Sequence, residues 1–220
     1  NSFNFGERSP IALRKFIKNM LEVSNPKFLL LIGRGVSFPD ELRSSRYPDL
    51  VPTIGYPGSD ILFSSGLNGY DEDVQAIPTG RLNVTKNLEV INYLEKVKEV
   101  ESQEVPELWQ KNILHLSGGQ NVSEIRSLKG ILESVSSKVQ NGLLGGKVTA
   151  LSKQTNQEIE PIDISKEVNA GLGMITFAGH GSANEIDLNI GYCSPPENGF
   201  NNQGKYPVMF FNGCGVGNIF

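Results

Sequence analysis

The 220-residue sequence contains little cysteine and little histidine, with two residues of each. Two cysteines do not make a disulfide framework, and two histidines do not make a histidine-rich metal site. No apolar run approaches the roughly 18 residues that a membrane-spanning helix needs, so we expect no membrane span in this segment. Lys plus Arg number 20 against 24 for Asp plus Glu. The sequence therefore lacks the basic surface that would favour nucleic-acid binding.

The length predicts one or two domains. A charged stretch that contains a proline, residues 101–107, shows no periodicity and is the best linker candidate. We therefore predict an N-terminal α/β subdomain over residues 1–104 and a second subdomain over 105–220. The chain begins with Asn1 rather than Met and carries no apolar leader, so we expect further domains in a longer polypeptide.

Short apolar runs alternate with helical patterns along the chain. The runs are residues 27–32, 112–116, 174–178 and 208–211, and the longer helical patterns begin near residues 10, 85 and 122. This alternation predicts an α/β fold with a mainly parallel sheet flanked by helices. The nearly continuous run 27–32 predicts a strand buried on both faces. In the helix over 85–101, Leu88, Ile91 and Leu94 are expected to point inward.

A histidine and a cysteine follow two of these apolar runs. His180 comes after MITFA (174–178) and Cys214 after VMFF (208–211), each flanked by glycine. Reactive groups collect beyond the carboxyl ends of parallel strands, so we expect the two side chains to address the same carbonyl. A thiolate is a strong nucleophile, and a nearby imidazole lowers its pKa or takes its proton. The amides of Gly181 and Cys214 are candidates for an oxyanion hole.

The blocks MITFAGHGS and VMFFNGCGVG resemble the paired His-Gly and Cys blocks of the caspase-like cysteine peptidases, and within them of the gingipain family. FLLLIGRG, AIPTGRL and WQKNILHLSGG extend the resemblance over almost the whole chain. The resemblance implies a caspase-like layered fold with two similar subdomains, C-terminally incomplete because the chain stops soon after the cysteine block. It implies a cysteine endopeptidase that acts on protein or peptide substrates, is secreted or held at the cell surface, and requires no cofactor. Cys214 would be the nucleophile and His180 the acid/base.

The histidine-orienting carboxylate of the gingipain family is harder to place. The first carboxylate after the strand at 112–116 is Glu124, which would orient His180 or would simply be the first-turn acid of the following helix, favoured by the helix dipole. A second acidic segment, NGYDED (68–73), matches a turn where the family has calcium sites. Asp71 and Asp73 are therefore candidate ligands of a structural calcium ion, and a solvated turn is the alternative.

Other assignments and functions stay open at this stage. Cys193 is a plain loop thiol, a second candidate nucleophile or a disulfide partner of Cys214, while His115 lies inside an apolar strand and is expected to pack there. The resemblance is compatible with a degradative endopeptidase and with a sorting peptidase or transpeptidase of type IX secretion. A non-catalytic surface or adhesion module with the same fold is the alternative from another class.

Overall fold

The structure is a computed structural model that describes residues 2–7, 9–36 and 48–218. The chain divides into two compact units, Asn1–Tyr93 and Leu94–Asn218. The linker pattern predicts a boundary at residue 104, which is further along the chain than Tyr93, and that boundary stays a prediction. Every strand pairing of the described ladders is parallel, and helices are interspersed between the strands. The predicted α/β class with a mainly parallel sheet is therefore confirmed.

The first unit is built on one amphipathic helix and a two-stranded parallel sheet. Its elements are helix α1 (Pro10–Val23), strand β1 (Leu29–Ile32), a 3-10 helix (Asp60–Phe63), strand β2 (Thr79–Leu82) and the beginning of helix α2 (Asn87–Glu101). The hydroxyl of Ser9 accepts a hydrogen bond from the amide of Ile11 at 3.2 Å and caps α1, and Pro10 has the backbone angle that a first helical residue needs. The core of the unit consists of Ile17, Leu21, Leu31, Phe63, Leu67 and Ile77.

Two expectations for burial in and near this unit are wrong. Only Leu31 of β1 is buried, while Leu30 and Ile32 are 64% and 51% exposed. Successive side chains of a strand alternate between the two faces, so an apolar run alone does not show that both faces are covered. Helix α2 has no buried residue, and its Leu88, predicted to point inward, is 63% exposed.

The second unit contains a four-stranded parallel sheet. Its elements in chain order are strand β3 (Asn112–Ser117), helix α3 (Val122–Asn141), strand β4 (Lys147–Ser152), strand β5 (Glu160–Pro161), helix α4 (Ser165–Ala170), strand β6 (Met174–Ala178), strand β7 (Leu188–Asn189) and strand β8 (Val208–Asn212). The strand order in the sheet is β4-β3-β6-β8, and β5 pairs with β7 in a short ladder of its own. Strands β6 and β8 are therefore neighbours, and Ala178 lies opposite Asn212 in their register.

The core of the second unit lies against the central strands β3 and β6. Its buried members are Leu114, Leu116, Ile164, Val168, Leu172, Ile175, Phe177, Ile186 and Leu188. His115 is also buried, at 2% exposure, and its Nδ1 is hydrogen-bonded to the hydroxyl of Thr176 on β6. Burial lowers the pKa of His115, so this imidazole is neutral at physiological pH. None of the helices in the described ranges has the length and apolar character needed to cross a bilayer.

Candidate active site

His180 and Cys214 lie at the carboxyl ends of two adjacent strands. The β6–β8 ladder ends with the pair Ala178 and Asn212, and the amide of Gly179 continues it by donating to the carbonyl of Asn212 at 3.1 Å. His180 and Cys214 are each two residues beyond that last pair, and both line one cavity of about 230 Å³. The imidazole is 41% exposed and the cysteine is exposed, so a substrate in the cavity can reach both.

The loops that carry these two residues touch through glycine. We call residues 179–181 the His180 loop and residues 213–215 the Cys214 loop. A Cβ atom on Gly181 would lie 2.9 Å from the carbonyl oxygen of Cys214 and 2.8 Å from Cγ1 of Val216. A Cβ on Gly213 would in turn lie 3.4 Å from the amide nitrogen of Gly181. The two backbones approach so closely because neither residue has a side chain.

The oxyanion-hole prediction concerns two backbone amides, those of Gly181 and Cys214. Within the described parts of the chain, the N–H groups of Gly181 and Cys214 take part in no backbone or side-chain hydrogen bond. Both residues line the same cavity as the His180 ring. Two unused amides beside a thiol are the donors that a developing oxyanion requires.

Glu124 reaches the imidazole of His180 from the N-terminus of helix α3. Its Oε1 lies 2.8 Å from His180 Nε2, while its Oε2 accepts a hydrogen bond from the amide of Gln120 at 2.8 Å. The Gln120 hydrogen bond, followed by that of His180, holds the pKa of Glu124 below its ordinary value of 4.5. A carboxylate on Nε2 favours the tautomer with the proton on that atom, which leaves Nδ1 as the basic nitrogen.

The position of Glu124 follows from the start of its helix. Asn121 is the N-cap of α3, and its Oδ1 accepts hydrogen bonds from the amide of Glu124 at 3.0 Å and from the hydroxyl of Ser123 at 2.7 Å. Glu124 is thus a first-turn acid and also the partner of His180. The contact agrees with both interpretations that the sequence left open, and the orienting role of Glu124 stays a prediction.

Two buried charged residues near the site were not singled out from the sequence. Asp187, at 4% exposure, lines the cavity and accepts a hydrogen bond from the amide of Gly119 at 2.6 Å. Lys153, at 1% exposure, donates from Nζ to the carbonyl of Glu158 at 3.1 Å. The available signal for Asp187 was the alternation Ile186-Asp187-Leu188, with apolar residues on both sides of the acid. Lys153 directly follows strand β4, which ends at Ser152.

The remaining candidates are not among the described residues that line this cavity. Cys193 and Cys214 are both free thiols, and desolvation of the sulfur raises the pKa of Cys193 although the residue as a whole is exposed. Asp71 and Asp73 are exposed, and the described ranges contain no group of three or more acidic, histidine or cysteine side chains arranged to hold a metal ion. Two exposed carboxylates are far fewer than the six to eight oxygen ligands of calcium, so the calcium site stays a prediction.

The arrangement of these residues agrees with the comparison of the chain with known families. The model of peptidase family C25 matches residues 1–220. The chain belongs to peptidase family C25. This assignment confirms the resemblance to the gingipain family drawn from the two sequence blocks, and it supports a function of the cysteine-peptidase type.

Solved structures of C25 peptidases show the same fold. The crystal structure of the Arg-specific cysteine proteinase gingipain R (RgpB) matches with a TM-score of 0.71 and 17% identity, over 96% of this chain and 47% of that one. The complex of the Porphyromonas gingivalis RgpB pro- and mature domains matches with a TM-score of 0.67 and 18% identity, over 94% of this chain and 46% of that one. The chain thus spans about half the length of these structures. No curated protein matches it.

Proposed function

We propose that this C25 chain carries the catalytic site of a cysteine endopeptidase, with Cys214 as nucleophile, His180 as acid/base and Glu124 as the carboxylate that orients the imidazole. One observation carries the proposal. His180 and Cys214 follow the paired ends of two neighbouring strands and line the same cavity, and Glu124 contacts Nε2 of the His180 ring.

The proposed reaction passes through an acyl-enzyme. The proton of Cys214 moves to Nδ1 of His180, and the thiolate attacks the scissile carbonyl carbon while the carbonyl π electrons move to the oxygen. The amides of Gly181 and Cys214 donate to that oxyanion, an interaction whose loss costs on the order of 10² to 10³ in kcat for a single donor. His180 then gives its proton to the leaving amine as the C–N bond breaks, and a thioester remains.

Deacylation uses the same groups. His180 removes a proton from water as the water attacks the thioester, and collapse of the second tetrahedral intermediate breaks the C–S bond. The Cys214 thiolate that leaves takes the proton back from His180. General acid–base catalysis of this kind contributes about 10² to 10⁴ in rate. Glu124 stabilises the imidazolium that forms in both stages and keeps the proton of Nε2 in place.

Labelling with an electrophilic peptide ketone tests the proposal. The protein to be labelled is the full product of the gene, with any sequence that flanks this chain. Mass spectrometry is expected to find one adduct, at Cys214. His180→Ala is expected to slow the labelling by at least about tenfold at neutral pH, because the imidazole no longer takes the thiol proton. Cys193→Ser is the matched control for the second thiol and should label like wild type. An unreactive Cys214 in the native, folded chain contradicts the proposal and supports a non-catalytic module.

Product analysis separates hydrolysis from transfer. The exposed Cys214 thioester is open to water and to an added amine, so the balance of the two products measures whether the proposed enzyme degrades proteins or acts as a sorting transpeptidase. We propose hydrolysis of peptide bonds as the main reaction. The proposed place of action is outside the cell, secreted or at the surface, and rests on the resemblance to gingipains.

A further inference from the structure

Asp187 is a buried carboxylate that the proposed reaction does not use. It is 4% exposed and directly precedes the short strand β7. Its Oδ2 accepts from the amide of Gly119, but its Oδ1 is buried and has no hydrogen-bond partner among the described residues. Leaving a buried carboxylate oxygen unpaired costs free energy, so a residue of this kind calls for an explanation.

The surroundings of Asp187 are shaped to receive it. A Cβ atom on Gly118 would collide with the carboxylate, and a Cβ on Gly179 would lie 2.5 Å from Oδ1. Gly118 follows β3 and Gly179 follows β6, so the side chain lies across the ends of two neighbouring strands. Two glycines make room for one carboxylate at the edge of the sheet that carries the site.

Asp187 also completes a ring of hydrogen bonds through His180. Its amide donates to the carbonyl of His180 at 3.0 Å, and its Oδ2 accepts from Gly119 at 2.6 Å. The next residue, Gln120, donates its amide to Glu124 at 2.8 Å. Glu124 closes the ring on Nε2 of His180 at 2.8 Å. Hydrogen bonds through Asp187 and the turn at the start of helix α3 thus connect the backbone of His180 with its ring.

We propose that Asp187 is a positioning residue that holds the turn at Gly119 and Gln120 and thereby keeps the Glu124 carboxylate in line with the His180 ring. The inference rests on the proposed role of His180. Gly119 has φ of +134°, a conformation that this turn adopts readily only because the residue is glycine. The hydrogen bond from its amide to Asp187 fixes this otherwise permissive position, in the way that outer partners orient a catalytic group.

The test measures the tautomer of His180 by NMR, independently of activity. The chain has two histidines, so long-range ¹H–¹⁵N spectra at mildly alkaline pH give two ring patterns. The pattern of the buried His115 serves as an internal reference. In wild type, His180 is expected to show a protonated Nε2 and a bare Nδ1. Asp187→Ala removes the acceptor for the Gly119 amide. The His180 ring of this variant is then expected to exchange between its two tautomers, which brings its two ring ¹⁵N shifts towards their average. Asp187→Asn keeps an acceptor and should retain the wild-type pattern.

Turnover of a peptide substrate provides the second readout. Loss of an outer hydrogen-bonding partner of a metal-bound histidine typically costs about 10- to 100-fold, and by analogy we expect a loss of this size in kcat for Asp187→Ala with little change in KM. Asp187→Asn should recover most of it. Asp163→Ala is the matched control: its carboxylate also accepts a backbone amide, that of Ser165 at 2.8 Å, but it lies outside the cavity, so the His180 pattern and kcat should not change.

Three results would overturn the proposal. They are a wild-type His180 pattern in folded Asp187→Ala, an averaged pattern in Asp187→Asn, and an unchanged kcat in Asp187→Ala. If Asp187→Ala does not fold, Gly118→Ala displaces the same carboxylate by a steric route, and a wild-type pattern in that variant has the same meaning. A wild-type chain that neither labels nor turns over contradicts the proposed function instead, and the NMR comparison still decides the role of Asp187.

Discussion

Replacing Gly181 by alanine tests whether the spacing of the His180 and Cys214 loops controls the chemistry. The new Cβ would lie 2.8 Å from Cγ1 of Val216 and 2.9 Å from the carbonyl oxygen of Cys214, whereas ordinary contacts begin at 3.4 Å. Relief of the contact with the Cys214 carbonyl therefore requires the two loops to separate by the difference, 0.5 Å, and the Val216 methyl must also move. The φ of Gly181 lies outside the left-handed region, so alanine at this position creates a steric clash without backbone strain. The amide that we assign to the oxyanion hole is kept.

The displacement predicts a large kinetic effect and a moderate loss of stability. A misplacement of about 1 Å costs on the order of 10²-fold in rate, so roughly half that distance predicts a loss of about tenfold or somewhat more in kcat/KM. A tenfold loss corresponds to about 1.4 kcal/mol of transition-state stabilisation. Overpacking by one methyl group is expected to cost about 1 to 3 kcal/mol of folding free energy. Peptide hydrolysis and urea denaturation measure the two quantities.

Gly130→Ala is the matched control for this variant. Gly130 lies within helix α3, and a Cβ there would meet nothing within 4 Å. Alanine at such a position is expected to stabilise the chain by about 0.8 to 1 kcal/mol and to leave kcat/KM unchanged. A folded Gly181→Ala enzyme with wild-type kcat/KM and a wild-type rate of Cys214 alkylation would refute the argument, because it would show that loop spacing does not limit catalysis.

Three further predictions concern single side chains. Asp60 makes a bidentate ion pair with Arg81, with both N–O distances at 2.7 Å, and the Arg81 side chain is 4% exposed. Because Asp60→Ala leaves this buried guanidinium without its ion-pair partner, it is expected to destabilise the first unit by about 3 to 5 kcal/mol in urea denaturation. Asn121→Ala removes the cap of helix α3 and is expected to cost about 1 kcal/mol in the same assay. The pKa of Glu124 is lowered on folding, so the stabilisation that this carboxylate contributes is present above pH 4.5 and is lost as pH falls through the lower pKa of the folded state. The difference in urea midpoint between wild type and Glu124→Gln should therefore shrink only in that acid range.

Controls and contrary results for these three follow from the same contacts. Glu95→Ala breaks the exposed ion pair with Lys98 and is expected to change stability by less than about 1 kcal/mol, in contrast to Asp60→Ala. Equal effects of the two variants would contradict the role given to burial. An unchanged free energy of unfolding in Asn121→Ala would argue against the cap. A midpoint difference for Glu124→Gln that disappears already above pH 4.5 would contradict the direction of the pKa change.

The sheet edge that carries the site could be predicted because it depends on local patterns. The apolar runs before His180 and Cys214 have the length of strands, and parallel strands place their carboxyl ends at the same edge. The structure has β6 and β8 as neighbours with Ala178 opposite Asn212, so the two residues come to the same cavity. Their chemical roles remain proposals, since position alone does not establish catalysis.

Burial and long-range hydrogen bonds could not be predicted, because they depend on residues distant in the chain. Nothing in the run that contains Leu30 shows that one face of its two-stranded sheet is exposed. Glu124 is 56 residues from His180, and the contact depends on a turn at Gly119 that is held from yet another segment. Asp187 itself has the polarity of a loop residue, and only its apolar neighbours at 186 and 188 indicate a buried position.

The sheet and the hydrogen-bond ring control different properties of the site. In the proposed account, the β6–β8 register and the contacting glycines set the distance between the thiol and the imidazole, whereas Glu124 and Asp187 set the orientation and tautomer of the ring. Substitutions at Gly181 should therefore lower turnover while leaving the His180 tautomer as it is. Substitutions at Asp187 should change the tautomer while leaving the Cys214 backbone in place. If Gly181→Ala also brought the two ring ¹⁵N shifts of His180 towards their average, spacing and orientation would not be separable, and the account of the site built on their independence would fail.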